Sequence, residues 1–369
     1  MDNPWYTLNN TDGTDTPALV VYPDRAQENI HRLVNSIDRT ERLRPHVKTH
    51  KSAEISRMML NAGIKKFKCA TIAEAEMLAT AGAADILLAY QPVGPKAIRL
   101  AGLMQKFPSA LFSCLVDHPD AAIHLDHIFE KANNVISVYI DLNVGMNRTG
   151  IIPTDALSLY EKCLSLKNVK VVGLHAYDGH LRDEDFDVRT TKCNAAFEPV
   201  QALHQAIAQK FNTDLKIVAG GTPTFSIHCK RKDVECSPGT FIYWDKGYEQ
   251  ILKEQHYLHA AVVMTRVISK PADDIICVDL GHKSIASENP LANRIIFVNA
   301  PDLQPKGHSE EHMTFQTSAG NHYKVGDVLY GVPFHVCPTI ALYDESIVVK
   351  EHEVTGRWSN VSRMRRITV

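Results

Sequence analysis

From Thr16 onward, short β-branched runs alternate with longer segments whose apolar residues recur at helical spacing. ALVVYP (18–23) reads as a strand, and Ala26, Ile30, Leu33, Val34 and Ile37 then repeat with the period of a helix. Further strands are predicted at LRPHV (43–47), KFKCA (66–70), DILLA (85–89), ALFSCLV (110–116), VISVYIDL (135–142), VKVVGLHA (169–176), LKIVAG (215–220) and DVECS (233–237). Helical patterns such as TIAEAEMLATAG, GPKAIRLAGLMQKF, DALSLYEKC and TTKCNAAFEPVQALHQAIAQKF lie between most of them. This order predicts a parallel sheet covered by helices. About eight repeats over roughly 210 residues fit a (β/α)8 TIM barrel, whose usual size is about 250 residues. An open doubly wound sheet is the competing architecture. After about residue 255 the texture changes: HAAVVMTRVISK, DIICVDLGHK, RIIFVNA and SIVVKEHEV are β-rich with little helical periodicity. The predicted division is a barrel over 16–250 and a C-terminal β domain over 251–369, joined by 1–15.

Composition narrows the class of protein rather than the fold. With 44% hydrophobic and 22% charged residues the chain is ordinary globular material. A net charge of −2 gives no argument for nucleic acid or an acidic membrane surface. No apolar run approaches the roughly 20 residues of a membrane span, and the start (MDNPWYTLNNTDG) does not read as a secretory signal. The eight cysteines are scattered without a CxxC pair, which points to a reducing cytoplasm rather than a disulfide framework.

Polar residues at strand ends carry the candidate chemistry, because barrel active sites sit at the carboxyl ends of strands. In RPHVKTHK (44–51), alternation puts Arg44, His46 and Lys48 on one face. If that face looks inward, burying the three cations unpaired would cost on the order of several kcal/mol each. A bound anion would resolve the conflict; the plainer alternative is a strand that has already ended. Lys51 falls in the following turn, toward solvent. DLNVGMNRTG (141–150) carries Arg148, and GLHAYDGHLRDED (173–185) carries His175, Tyr177 and His180. In VAGGTPTFS (218–226), Gly220 and Gly221 precede Thr222 and a proline, a backbone nest suited to phosphate. SPGTFIYWD (237–245) offers Gly239 and Thr240 as a second nest.

In the β-rich region VPFHVCPT places His335 and Cys337 at i and i+2. On a strand these side chains share a face about 6–7 Å apart. An imidazole and a thiolate so placed can chelate one ion at about 2.0–2.3 Å, leaving coordination positions open. Chance is the alternative, in a chain with 18 histidines and eight cysteines.

Taken in order, TPALVVYPDRAQENI, RPHVKTHK, NVGMNRTG, YDGH, GGTPTF, SPGTF, GHK (281–283), SEEH (309–312) and FHVCPT (334–339) resemble the fold-type III pyridoxal-phosphate enzymes. The branch is that of D-threonine aldolase and the metal-dependent D-serine dehydratases, with alanine racemase more distant. The resemblance implies a barrel of alanine racemase type, a C-terminal β domain and a homodimer. It implies Lys48 as the Schiff-base lysine and Arg148 as the arginine contacting the cofactor ring. Tyr177, Gly220, Gly221, Thr222, Gly239 and Thr240 are similar to the residues that hold pyridoxal 5'-phosphate. His335 and Cys337 look like the ligands of a divalent metal, zinc first because of the thiolate, with manganese or magnesium also open. His180 is the candidate acid–base residue.

The implied substrate is a small D-amino acid bearing a β-hydroxyl. Retro-aldol cleavage would give glycine and an aldehyde; dehydration would give a keto acid and ammonia. The cysteine ligand resembles the dehydratases, while the best-known aldolases carry aspartate there. The aldolase is the preferred expectation. An amino-acid racemase and a non-catalytic cofactor carrier are the remaining alternatives; no segment clearly supplies a racemase's second base.

Overall fold

The structure, a computed structural model, describes residues 3–318 and 320–369. The chain divides into two compact units. One comprises the chain up to Ile30, Thr49–Ser52 and Thr240–Arg363; the other comprises His31–Lys48, Ala53–Gly239 and Met364–Val369. The first elements are strand β1 (Ala18–Val21) and helix α1 (Pro23–Asn35).

The barrel unit is built on seven parallel strands in sequential order: β2 (Lys66–Cys69), β3 (Asp85–Leu88), β4 (Leu111–Val116), β5 (Ile136–Leu142), β6 (Val169–Ala176), β7 (Lys216–Ala219) and β8 (Val234–Cys236). Helices α2 (Ala53–Asn61), α3 (Ile72–Ala81), α4 (Pro95–Lys106), α5 (Pro119–Lys131), α6 (Ala156–Leu164), α7 (Phe186–Phe211) and α8 (Phe225–His228) follow the strands. Local chemistry sets their ends: the Thr71 side chain caps α3 by accepting from Glu74 N, and Gly82 closes it in the left-handed conformation at φ 96°.

LRPHV takes the eighth place in the ring. Leu43 bridges Cys236 and His46 bridges Lys68, both in parallel. Arg44 N donates to Cys236 O, His46 N to Pro238 O and Val47 N to Lys68 O, all within 2.9–3.0 Å. Pro45 has no N–H, so the segment pairs at alternate residues and forms bridges rather than a full strand. Inside the ring, Leu87, Leu115, Tyr139 and Val218 form a buried apolar cluster.

The other unit holds a mixed sheet of β1, β9 (Ala261–Ala272), β10 (Ile275–Val278), β11 (Ile295–Phe297), β12 (Gln304–His308), β13 (Met313–Gln316), β14 (Val328–Pro333), β15 (Glu345–Lys350) and β16 (Glu353–Ser359). Helices α9 (Lys246–Ile251) and α10 (Val336–Ile340) accompany it. Here the sequence reading is corrected at its first element. β1 runs antiparallel to β9 and parallel to β15 instead of opening the barrel. A buried ALVV run satisfies either kind of sheet, so periodicity alone does not choose between them. Two apolar cores support this sheet, one around Val278, Phe297 and Phe315 and one around Val20, Val262 and Tyr330.

Candidate active site

The barrel interior sorts its charges by height. Near the amino ends of the strands Arg44 is fully buried, with Nη1 2.6 Å from Asp85 Oδ1 and Nε 2.7 Å from Glu235 Oε2. Lys66 also pairs with Glu235. The inward-facing cation is therefore neutralised by two carboxylates, and the bound anion that the alternation suggested for Arg44 is not needed there. A cleft of about 780 Å³ lies at this end, lined among others by Lys66, Lys216 and Asp233 at or beside the strand starts. It is remote from the candidate chemistry at the carboxyl ends.

At the carboxyl ends a second polar chain begins at Lys68. Its Nζ lies 2.9 Å from His175 Nε2, and His175 Nδ1 lies 2.6 Å from Asp141 Oδ1. The geometry sets the proton positions: Lys68 donates to Nε2, so His175 carries its hydrogen on Nδ1 and donates it to Asp141. Burial, with the charge of Lys48 beside it, brings Lys68 down to about 7. Burial and Lys68 lower His175 as well. Burial opposes ionisation of Asp141, but its contact with His175 and the hydrogen bond it accepts there hold it below the usual carboxylate range.

Tyr177, directly after β6, gathers the cations. Lys48 Nζ is 5.8 Å, Lys68 Nζ 5.3 Å and Arg148 Cζ 5.1 Å from its ring centroid. The turn is shaped to this ring: a Cβ on Gly221 would meet Tyr177 Cε2 at 2.8 Å, and one on Gly179 would meet its Cζ at 2.3 Å. Gly220 adopts φ 73°, and its N–H donates to Ala176 O. Gly239 N donates to Thr222 Oγ1 at 3.1 Å, and the Ser237 hydroxyl is buried without a hydrogen-bond partner. His180 is exposed, its ring against Gly145.

A buried group that the sequence did not reveal fastens this turn. Asp178 accepts from Thr224 Oγ1 at 2.7 Å and from His228 Nε2 at 2.9 Å, with Cys193 Sγ 3.5 Å away. Asp178, Cys193 and His228 place their ligand atoms within 4.8 Å of one another, a spacing that could hold a metal ion. Each atom already has a partner. Arg231 Nε donates to His228 Nδ1, which fixes the proton on Nε2 toward Asp178. Burial and Asp178 push the Cys193 thiol up to about 12, so it stays protonated.

His335 and Cys337 belong to the mixed-sheet unit, and they do not lie on a strand as the spacing suggested. β14 ends at Pro333, His335 caps α10 and Cys337 lies in its first turn. Pro338 fits there because early helical N–H groups have no intrahelical acceptor. The two side chains are hydrogen-bonded to each other, and His335 Nδ1 is 2.5 Å from Glu288 Oε1. Although burial works against it, Cys337, Asp245 and Glu288 push His335 up to about 9. Thr49 Oγ1 lies 3.0 Å and Thr240 Oγ1 3.7 Å from Cys337 Sγ. Asp245 Oδ2 accepts from Val336 N at 3.1 Å. Lys51, expected in solvent, is half-buried, and its carbonyl accepts from Ser362.

Lys68, Asp141 and Glu288 were not singled out from sequence. A lysine inside an apolar strand run, as in KFKCA, is the one signal that could have drawn attention to the first.

The fold and this arrangement define a parallel barrel of the alanine racemase kind with a C-terminal β domain. The chain belongs to the family of the alanine racemase N-terminal domain, which it matches over residues 21–246. Residues 260–349 match the putative serine dehydratase domain. The chain is 29% identical to D-threonine aldolase of Arthrobacter sp over 95% of its length and 93% of the relative's. It is 33% identical to D-threo-3-hydroxyaspartate dehydratase of Delftia sp. (strain HT23) over 89% of this chain and 92% of that one. The crystal structure of D-threonine aldolase from Filomicrobium marinum superposes with a TM-score of 0.88 at 24% identity, covering 98% and 99% of the two chains. Among the described residues, no helix is long and apolar enough to cross a membrane.

Proposed function

We propose that the protein is a pyridoxal-phosphate- and divalent-metal-dependent lyase acting on D-β-hydroxy-amino acids, with retro-aldol cleavage to glycine and an aldehyde as its reaction. The observation that carries the reading is an adjacency along the chain. Lys48, an amine beside the Tyr177 ring, is followed by Thr49, whose hydroxyl lies against Cys337 of the imidazole–thiol pair. A racemase or a simple cofactor carrier has no use for that pair.

The residues suit both groups. Gly220 and Gly221 leave a turn without side-chain bulk, and the buried Ser237 hydroxyl beside the 238–239 backbone lacks a partner, as a phosphate cradle requires. Lys48, Arg148, Tyr177, Gly220, Gly221, Thr222, Gly239 and Thr240 would hold pyridoxal 5'-phosphate, which when bound supplies an electron sink for the substrate's α-carbon. His335 and Cys337 would hold the metal, with zinc favoured by a thiolate ligand and manganese or magnesium as alternatives. The Asp178–Cys193–His228 group is the poorer candidate, since Thr224 and Arg231 already complete its hydrogen bonds.

The remaining work falls to the chain's own side chains. Lys48 returns a proton to the substrate's α-carbon, whereas removal of the α-proton by Lys48 belongs to the alternative dehydration. His180 removes the proton from the β-hydroxyl as the Cα–Cβ bond breaks and the β-carbon becomes the aldehyde carbonyl. The proton then replaces the lost bond at Cα, which gives glycine. Lys68, His175 and Asp141 hold a fixed hydrogen-bonded line from amine through imidazole to carboxylate beside Tyr177, so the charge around Lys48 is set before substrate arrives.

Dehydration is the second reading, favoured by the Cys337 thiol and by the 33% identity to the Delftia enzyme. The purified protein with cofactor and zinc or manganese is to be given D-threonine, D-phenylserine, D-serine and D-3-hydroxyaspartate. Glycine with an aldehyde is the expected product; keto acid with ammonia overturns the aldolase in favour of the dehydratase. The same reading implies a homodimer.

A further inference from the structure

We infer that Glu288 is a positioning residue for His335: it fixes the imidazole with its proton on Nδ1 and leaves Nε2 as the ligand atom. This rests on the metal role proposed for His335 and Cys337 and adds a residue that neither the motif nor the relatives' names point to.

The contact itself is short, with Nδ1 2.5 Å from Glu288 Oε1. A carboxylate accepts and cannot donate, so the imidazole must carry hydrogen on that nitrogen. That leaves Nε2 as the ring nitrogen whose lone pair can serve a ligand role once the ring is neutral. Glu288 does not complete a ligand set. Among the described residues the three-residue group with ligand atoms mutually within 4.8 Å is Asp178, Cys193 and His228, and Glu288, His335 and Cys337 form no such group. The carboxylate thus meets the imidazole at Nδ1 without joining the pair as a third ligand.

The loop carrying Glu288 is tied to the His335 turn on both sides. Before it, Ala286 N donates to Thr339 Oγ1 at 3.2 Å, and the same hydroxyl donates to His335 O at 2.9 Å. After it, Arg294 Nε donates to Asn289 O at 3.1 Å, and Arg294 O accepts from Phe334 N at 3.0 Å. One threonine and one arginine therefore hold both segments in register. Stability does not explain the pair. The two side chains are 42% and 48% exposed, and exposed ion pairs contribute only about 0–1 kcal/mol. Orientation is what such a contact can supply, and outer partners of ligating histidines typically change metal affinity by about 10–100-fold.

The test measures Zn²⁺ and Mn²⁺ affinity of the full-length metal-free protein by competition with a chromogenic chelator, without reference to turnover. His335→Ala, Cys337→Ala, Glu288→Ala and Glu288→Gln are compared, with melting temperature recorded for each. The expected result is near-complete loss of affinity in the first two and a weakening of about 10–100-fold in Glu288→Ala at unchanged melting temperature. Glu288→Gln, which keeps an acceptor oxygen but no charge, should fall between Glu288→Ala and the wild type. It carries the test if Glu288→Ala does not fold. Wild-type affinity in both Glu288 variants, with loss in His335→Ala, overturns the inference and leaves the metal reading standing. Wild-type affinity in His335→Ala and Cys337→Ala overturns the metal reading and this inference with it.

Discussion

Arg44 and Lys68 are both buried cations facing the interior of one barrel, yet their surroundings differ in kind. Arg44 meets two carboxylates, Asp85 through both terminal guanidinium nitrogens and Glu235 through Nε. Lys68 meets a neutral imidazole, with a carboxylate one step further away and a second lysine nearby. The first charge is fully compensated and stays charged, raised above even the ordinary arginine value by Glu235 and Asp85 despite burial. The second is left part-compensated, near neutrality at ordinary pH. Compensation marks the amino end as architecture, and its shortfall marks the carboxyl end as the place where protons can move.

The largest expected effect falls on the part-compensated end. Lys48→Ala should lower turnover by on the order of 10²–10⁴-fold or more, the range for a positioned proton-transfer group, and should remove the protein-bound cofactor absorbance band. Retention of both would detach Lys48 from the chemistry and dissolve the contrast. Arg44→Met probes the other end. It leaves Asp85 and Glu235 buried beside only Lys66, so a loss of about 3–5 kcal/mol in urea unfolding is expected, with turnover per folded molecule largely kept. An intact stability with lost turnover would reverse the assignment of the two ends.

The smallest effect is a slope. Lys68 sits near 7 against an ordinary 10.5, because burial and Lys48 oppose its charge. Between those values the unfolded chain binds a proton that the folded chain does not. Its contribution therefore favours folding as pH rises through that window, and is lost as pH falls through about 7. Lys68→Met should flatten the wild-type rise in unfolding free energy from pH 7 to 10, by at most about 1.4 kcal/mol per pH unit. Identical pH profiles would place Lys68 among fully compensated charges after all.

The parts of the molecule that were legible in sequence are those governed by local periodicity. The parallel strands from 66 to 236 and the helices between them follow from β–α alternation. Strand 18–21 joined the other sheet because nothing in four apolar residues states a partner. The HxC spacing reads as a strand, whereas Pro338 favours the first turn of a helix, and His335 and Cys337 stand at the start of α10. The carboxylates that close Arg44 stand 41 and 191 residues away, and Glu288 stands 47 residues before His335. Separations of that size leave no local trace. Lys48, Arg148 and Tyr177 do come together around one ring, and their meeting could be expected only from the ordered series of motifs.

The contacts that steady the imidazole–thiol pair have a consequence for descent. Thr49, Thr240, Asp245, Glu288 and Thr339 all belong to the same compact unit as His335 and Cys337. A lineage could therefore exchange the thiol for another donor and retune its neighbours without renegotiating the packing of the barrel strands. A change at either side chain of the pair would then be absorbed by contacts within one unit, with the barrel's own buried charges left as they were.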